Sequence, residues 1–154
     1  MSCTQLLVIA VERQSISIAA FTGLRLDYVQ TRQLFSDFNV ARTTAKRFVS
    51  WAIAALQPER LLLELPGPRA GRRREALRDA IKYRLASHKG ARIWVESGLA
   101  NRYLGVSRPL ERKELVEVAR SLWPERQKEE AALIAAATGL TQQMLELFIN
   151  TKPS

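Results

Sequence analysis

The chain has 154 residues, the size of one domain, and a chain of that length buries about 68–70% of its unfolded surface, so folding requires neither a disulfide nor a metal staple. Hydrophobic residues at 47% and charged ones at 25% exclude wholesale disorder, while the single cysteine, Cys3, excludes an internal disulfide and cannot alone form a zinc site. Twenty-four Lys and Arg against 15 Asp and Glu leave a net charge of +9, which directs attention to anionic partners.

Leu6–Val11 is a continuous apolar run, as expected of a strand covered on both faces. No apolar run approaches the roughly 18 residues that span a bilayer. The first run also lacks a basic leader and meets Glu12 directly, so it does not read as a signal peptide. A cytoplasmic, reducing setting without membrane contact is therefore expected. Residues 15–21 alternate, with Ile16, Ile18 and Ala20 on one side and Ser15, Ser17 and Ala19 on the other. Residues 27–35 form a third strand after Gly23. The short connections predict an antiparallel three-stranded meander.

With Asn39 as its cap, a helix is predicted through Val40, Ala45, Phe48, Val49, Ala52, Ile53 and Leu56. Arg42, Lys46 and Arg47 fall off its apolar stripe, and Trp51 reads as a rim or packing aromatic rather than a platform for stacked bases. Arg60–Leu65 is a fourth strand, stopped by Pro66-Gly67-Pro68. A basic helix over 72–88 buries Ala76, Leu77, Ile81 and Leu85 and stops at Gly90; a fifth strand covers 91–95. A helix over 111–122 has Leu115, Val116, Ala119 and Leu122 as its core face. Another spans 125–138 and closes at Gly139, and a short amphipathic helix over 141–149 carries Met144, Leu145 and Phe148. The order predicts one α/β domain over 1–154. Its sheet is mixed and five-stranded: the meander plus two parallel strands, flanked by helices.

Nine basic residues, Arg69, Arg72, Arg73, Arg74, Arg78, Lys82, Arg84, Lys89 and Arg92, lie in the 24 residues 69–92 against only Glu75 and Asp79. Such a ridge suits a polyanion, because Lys and Arg on a phosphate lattice release condensed counterions. A solvated helix whose cationic stems cover apolar surface would look similar. Arg69, Arg72, Arg73, Arg74, Arg78 and Lys82 are the candidate nucleic-acid contacts, expected to touch phosphate rather than read bases. DNA and RNA are both candidate partners on this charge alone.

There is no Gly-x-Gly-x-x-Gly and no Walker-type loop. His88, the only histidine, excludes a multi-histidine metal site and reads as a helix-end residue. The carboxylates are better placed. Glu12 ends the first strand, and Glu64 stands among leucines, where an acid is costly unless paired or metal-bound. Glu129 and Glu130 open the last long helix. If these meet, an oxygen-only cluster would favour Mg²⁺ or Mn²⁺ and could support phosphodiester cleavage. The alternatives are a hairpin residue for Glu12, an arginine partner for Glu64, and helix-dipole complementation for Glu129 and Glu130.

In order and spacing, Val8-Ile9-Ala10-Val11-Glu12, Arg60-Leu61-Leu62-Leu63-Glu64-Leu65, Ile93-Trp94-Val95-Glu96-Ser97, Arg112-Lys113-Glu114-Leu115-Val116 and the alanine-rich stretch from Lys128 to Ala136 form a pattern. It resembles the ribonuclease-H-like superfamily, specifically the RuvC-type Holliday-junction resolvases, over about residues 5–139. The resemblance implies an RNase H-like fold, junction binding, and metal-dependent cleavage with Glu12, Glu64, Glu129 and Glu130 as catalytic residues; Glu12, Glu64 and Glu129 would be the metal ligands. Departures accompany it. Glu12 stands where the family has aspartate, and Arg13-Gln14 replaces its glycine. Lys128 and Ala131 fall against the two aspartates of its last helix. Lys113 would sit near a phosphate. The reading from a different class is an inactive fold serving as an interaction module, its last helix pairing with a partner or with a second copy as a homodimer.

Overall fold

In the computed structural model, which describes residues 4–65, 71–96, 98–126 and 129–151, the run Leu6–Val11 becomes β1, the centre of a five-stranded sheet. Around it in chain order lie β2 (Ser15–Thr22), β3 (Arg25–Gln33), α1 (Phe38–Leu56), β4 (Arg60–Leu65), α2 (Arg72–Leu85), β5 (Ala91–Glu96), α3 (Leu99–Leu104), α4 (Arg112–Leu122), a 3₁₀ turn at Pro124–Arg126, and α5 (Glu130–Thr151). The strand order is β3-β2-β1-β4-β5; β1, β2 and β3 pair antiparallel, while β4 joins β1 and β5 joins β4 in parallel. This is the predicted meander with two parallel crossovers. Cys3 and the Pro66-Gly67-Pro68 breaker lie outside the described residues.

The period-2 geometry of β1 creates two cores. Leu6, Val8 and Ala10 point to the face covered by α3, α4 and α5. Leu7, Ile9 and Val11 point to the opposite face with Ala45, Phe48 and Val49 of α1 and Leu77, Ile81 and Leu85 of α2. β2 is buried on both faces, so its sequence alternation sorts residues between two cores rather than between core and solvent. Ser17 is satisfied in that interior by the Thr31 hydroxyl at 2.9 Å.

Several boundaries differ from the expectation, for local reasons. α1 is capped by Asp37, whose Oδ1 accepts from Val40 N at 3.0 Å, rather than by Asn39. α2 ends at Leu85, and Arg92 donates to the exposed Ala86 carbonyl beyond it at 2.5 Å. Gly90 is needed there for close approach: a Cβ would lie 2.0 Å from the Glu59 carbonyl oxygen. α3 was not predicted, Leu122 is exposed rather than core, and Met144 and Phe148 are exposed as well.

The two expected C-terminal helices are one. Gly139 does not terminate a helix but forms a notch in α5, where a Cβ would stand 2.5 Å from Val8 Cγ2 and 2.8 Å from Phe21 Cε2. The glycine lets α5 lie directly on β1 and β2. Fused in this way, α5 reaches a length and apolarity that by composition would cross a membrane; half of that window is buried within the protein, as in a core helix.

Candidate nucleic-acid interface and carboxylate pair

Glu64 pairs in register with Ala10, and Glu12 lies two residues beyond Ala10. Both therefore share the parity of the α5-facing set and meet where two adjacent parallel strands end. Glu12 N donates to Ser15 O at 2.8 Å, which closes the β1–β2 turn and holds Glu12 at the strand exit. Glu64 is partly buried. Desolvation pushes its carboxyl up to about 7, and the neighbouring Glu12 charge adds to the rise; an N–H donated by Gly98 and the guanidiniums of Arg74 and Arg112 act in the opposite sense.

The cations beside this pair belong to the protein. Arg112 donates from Nη1 to Glu12 Oε1 at 2.8 Å. It is the first residue of α4, an unfavourable place for a cation on the helix dipole, and Glu12 offsets that misplacement. A reciprocal capping box between Glu111 and Glu114 sets where α4 begins, and Arg108 grips Glu114 at 2.8 and 3.0 Å. From the other side of the sheet, Arg74 of α2 donates to Val11 O at 2.7 Å.

Glu129 and Glu130 form no metal-holding group with this pair among the described residues. Glu130 is held by Arg120 at 2.9 Å, and Arg120 stands eight residues, about 12 Å, along α4 from Arg112. Arg126, ahead of α5, donates to the Asp27 carbonyl on β3 at 2.8 Å, and Glu146 pairs with Arg60 at the start of β4. Glu129 Oε2 is buried without a hydrogen-bond partner among the described residues. Of the four acids, Glu12 and Glu64 are the two that the strand register brings together. No group of three or more His, Cys, Asp or Glu side chains able to hold a metal ion occurs among the described residues. Mg²⁺ needs a near-octahedral oxygen shell. Water supplies most of such a shell and one or two free carboxylates the rest, but Glu12 is already paired with Arg112 and burial favours the neutral form of Glu64, so the donor set as it stands does not fit the implied cation.

The basic ridge also divides. Arg73 is consumed internally: Nη1 donates to Ser36 O at 2.7 Å, Nε to Arg13 O at 3.2 Å, and Nη2 to Phe35 O. Arg78 pairs with Asp79 at 2.7 Å, and Arg84 donates to Ser50 Oγ on α1 at 2.8 Å. Arg72 is exposed, as is Lys82, whose Nζ lies 5.3 Å from the Trp94 ring centroid. Arg69 and Lys128 lie outside the described residues. Lys113 is exposed beside Arg112, Arg120 and Glu130 in a cleft between α4 and the start of α5. His88 follows α2 as expected, its Nε2 buried without a partner among the described residues. Sequence reasoning missed the role of Arg112, since its partner is 100 residues away and no local pattern links them.

No protein-family model matches the sequence, and no curated protein matches it. Solved structures do. The chain is similar to RuvC of Thermus thermophilus in complex with a Holliday-junction substrate, with a TM-score of 0.66 and 12% identity over 90% of this chain and 94% of that one. Against the yeast mitochondrial Holliday-junction resolvase Ydc2 the TM-score is 0.62 at 12% identity, covering 96% of this chain and 84% of that one. Against the fowlpox virus resolvase, solved with Holliday-junction DNA, it is 0.57 at 14% identity, covering 92% and 99%. The fold is RNase H-like, of the RuvC type.

Proposed function

We propose that this protein binds branched nucleic acid, four-way DNA junctions above other forms, by phosphate contacts and without metal-dependent hydrolysis. One observation carries the reading. Arg73 and Arg74 fasten the start of the basic helix α2 to the exits of β1 and β3, so the ridge and the carboxylate pair share one end of the sheet. Arg72 there, and Lys82 further along α2, present charge to solvent. The fold likeness to two resolvases solved with junctions supports the same partner. Contacts of this kind recognise backbone geometry and impose little sequence preference.

The non-hydrolysing half follows from the donor set. Arg112 pairs with Glu12, and burial favours the neutral form of Glu64, so the pair lacks the surplus negative charge that attracts a divalent cation. Fluorescence anisotropy with a labelled four-way junction, its duplex and its single strand, over a salt series, tests the binding half. The junction is expected to bind most tightly; equal or negligible binding of all three at low salt would refute the proposal. Incubating the junction with Mg²⁺ or Mn²⁺ is expected to leave it intact. Cleavage that disappears in Glu64→Gln would overturn the non-hydrolysing half.

A further inference from the structure

Toward the β3 edge of the sheet, against α1, lies a cleft of about 340 Å³ lined by Arg32, Thr44, Arg47, Phe48 and Trp51. Its floor is aromatic. Phe48 is buried, and Trp51 stacks on it with ring centroids 6.0 Å apart and planes 13° apart. Tyr28 is tilted toward Trp51 at 6.3 Å. Packing accounts for part of the indole only, because Trp51 remains 46% exposed. Its walls are cationic. The Arg32 guanidinium lies 5.5 Å from the Phe48 ring centroid, and Arg47 stands exposed on α1. Neither arginine has an ion pair among the described residues, and no lining residue is acidic.

An exposed aromatic surface takes a planar ring, and two arginines beside it take an anion. A ligand that needs both in a cleft at the small end of ligand-site volumes carries a flat base and a phosphate together. We propose that this cleft binds an unpaired nucleotide of a nucleic-acid strand, the base on Trp51 and the phosphate on Arg32 and Arg47. The Thr44 hydroxyl is within the same cleft for a sugar or phosphate oxygen. Apart from that hydroxyl, the lining groups are ring faces and cations rather than a set of donors and acceptors for base edges, so the site accepts any base. The inference extends the proposed function in one respect: a junction-binding protein would meet unpaired strand here, away from the carboxylate pair.

The test measures binding of a single-stranded oligothymidylate, of thymidine monophosphate, of duplex and of a four-way junction to the full chain, by anisotropy and tryptophan quenching. In Trp51→Ala, single-strand affinity is expected to fall roughly 5- to 150-fold, the range for loss of one stacked base. Duplex and junction affinity should change less than about twofold, and Trp51→Phe should fall between Trp51→Ala and the unaltered chain. Arg47→Ala is expected to flatten the log–log salt slope for single strands by about 0.7, and Arg47→Lys to restore it. Single-strand affinity unchanged in folded Trp51→Ala and Arg47→Ala would overturn the site. Monophosphate that binds as tightly as the oligomer would overturn its assignment to a strand. Trp51-dependent single-strand binding without junction preference would sustain this site and refute the proposed function; the reverse pattern would refute only this site.

Discussion

Replacing Glu64 by glutamine isolates the energetic consequence of its position. The carboxyl moves from 4.5 in the open chain to about 7 in the folded protein, chiefly by desolvation. Between those values the folded protein keeps a proton that the unfolded chain has lost, so folding stability falls as pH rises through the window. Above about 7 the whole penalty is present, at most about 3 kcal/mol from the 1.36 kcal/mol carried by each tenfold change in proton affinity. Residual solvent contact reduces it. Glutamine has the shape of the protonated acid and never ionises. Urea unfolding of both proteins is therefore expected to coincide near about pH 4 and to separate by about 2–3 kcal/mol near about pH 8, with Glu64→Gln the more stable. Comparison with the variant cancels the acid-side repulsion of a chain carrying +9, because that term is common to both. Stability curves that run parallel across the range, or a less stable Glu64→Gln at alkaline pH, would show that burial does not govern this carboxyl.

Arg112→Ala removes a cation that favours ionised Glu64, so the Glu64 titration should move further upward by carboxyl-resolved NMR; an unchanged midpoint would dissociate Arg112 from the pair. Arg73→Ala should destabilise the fold by about 1–3 kcal/mol, since three carbonyls lose a charged donor, and should leave the junction salt slope unchanged. Arg72→Ala should do the opposite, keeping stability within about 0.5 kcal/mol and flattening the slope by about 0.9. A slope moved by Arg73 and untouched by Arg72 would reverse that division of the ridge. Gly139→Val drives its side chain into Val8 and Phe21 and should lower stability by about 2–3 kcal/mol in thermal or urea melts; a neutral result would contradict the close seating of α5.

Local pattern was enough for much of this molecule. The bounds of β1 and β4, the meander, the parallel crossovers and the buried Leu77, Ile81 and Leu85 of α2, though not the half-buried Ala76, follow from apolar period, turn residues and the need for long connections between parallel strands. So does the meeting of Glu12 and Glu64: one acid ends each of two apolar strands that the topology makes neighbours, and equal parity puts both on one face. What pattern could not supply was anything decided by long-range contact. Gly139 reads as a stop because glycine ends helices, until the nearness of Val8 and Phe21 shows that it is a notch. A continuous α5 then seats on β1 and β2, and Glu130 at its start is taken by Arg120 of α4. Arg73 and Arg112 look like surface charge in any window, because the groups that use them are tens of residues distant. Side-chain period is a property of neighbours along the chain, whereas charge neutralisation depends on distance in space. The sequence therefore determined the sheet and its acids, and only the packed structure decided that arginines stand beside them.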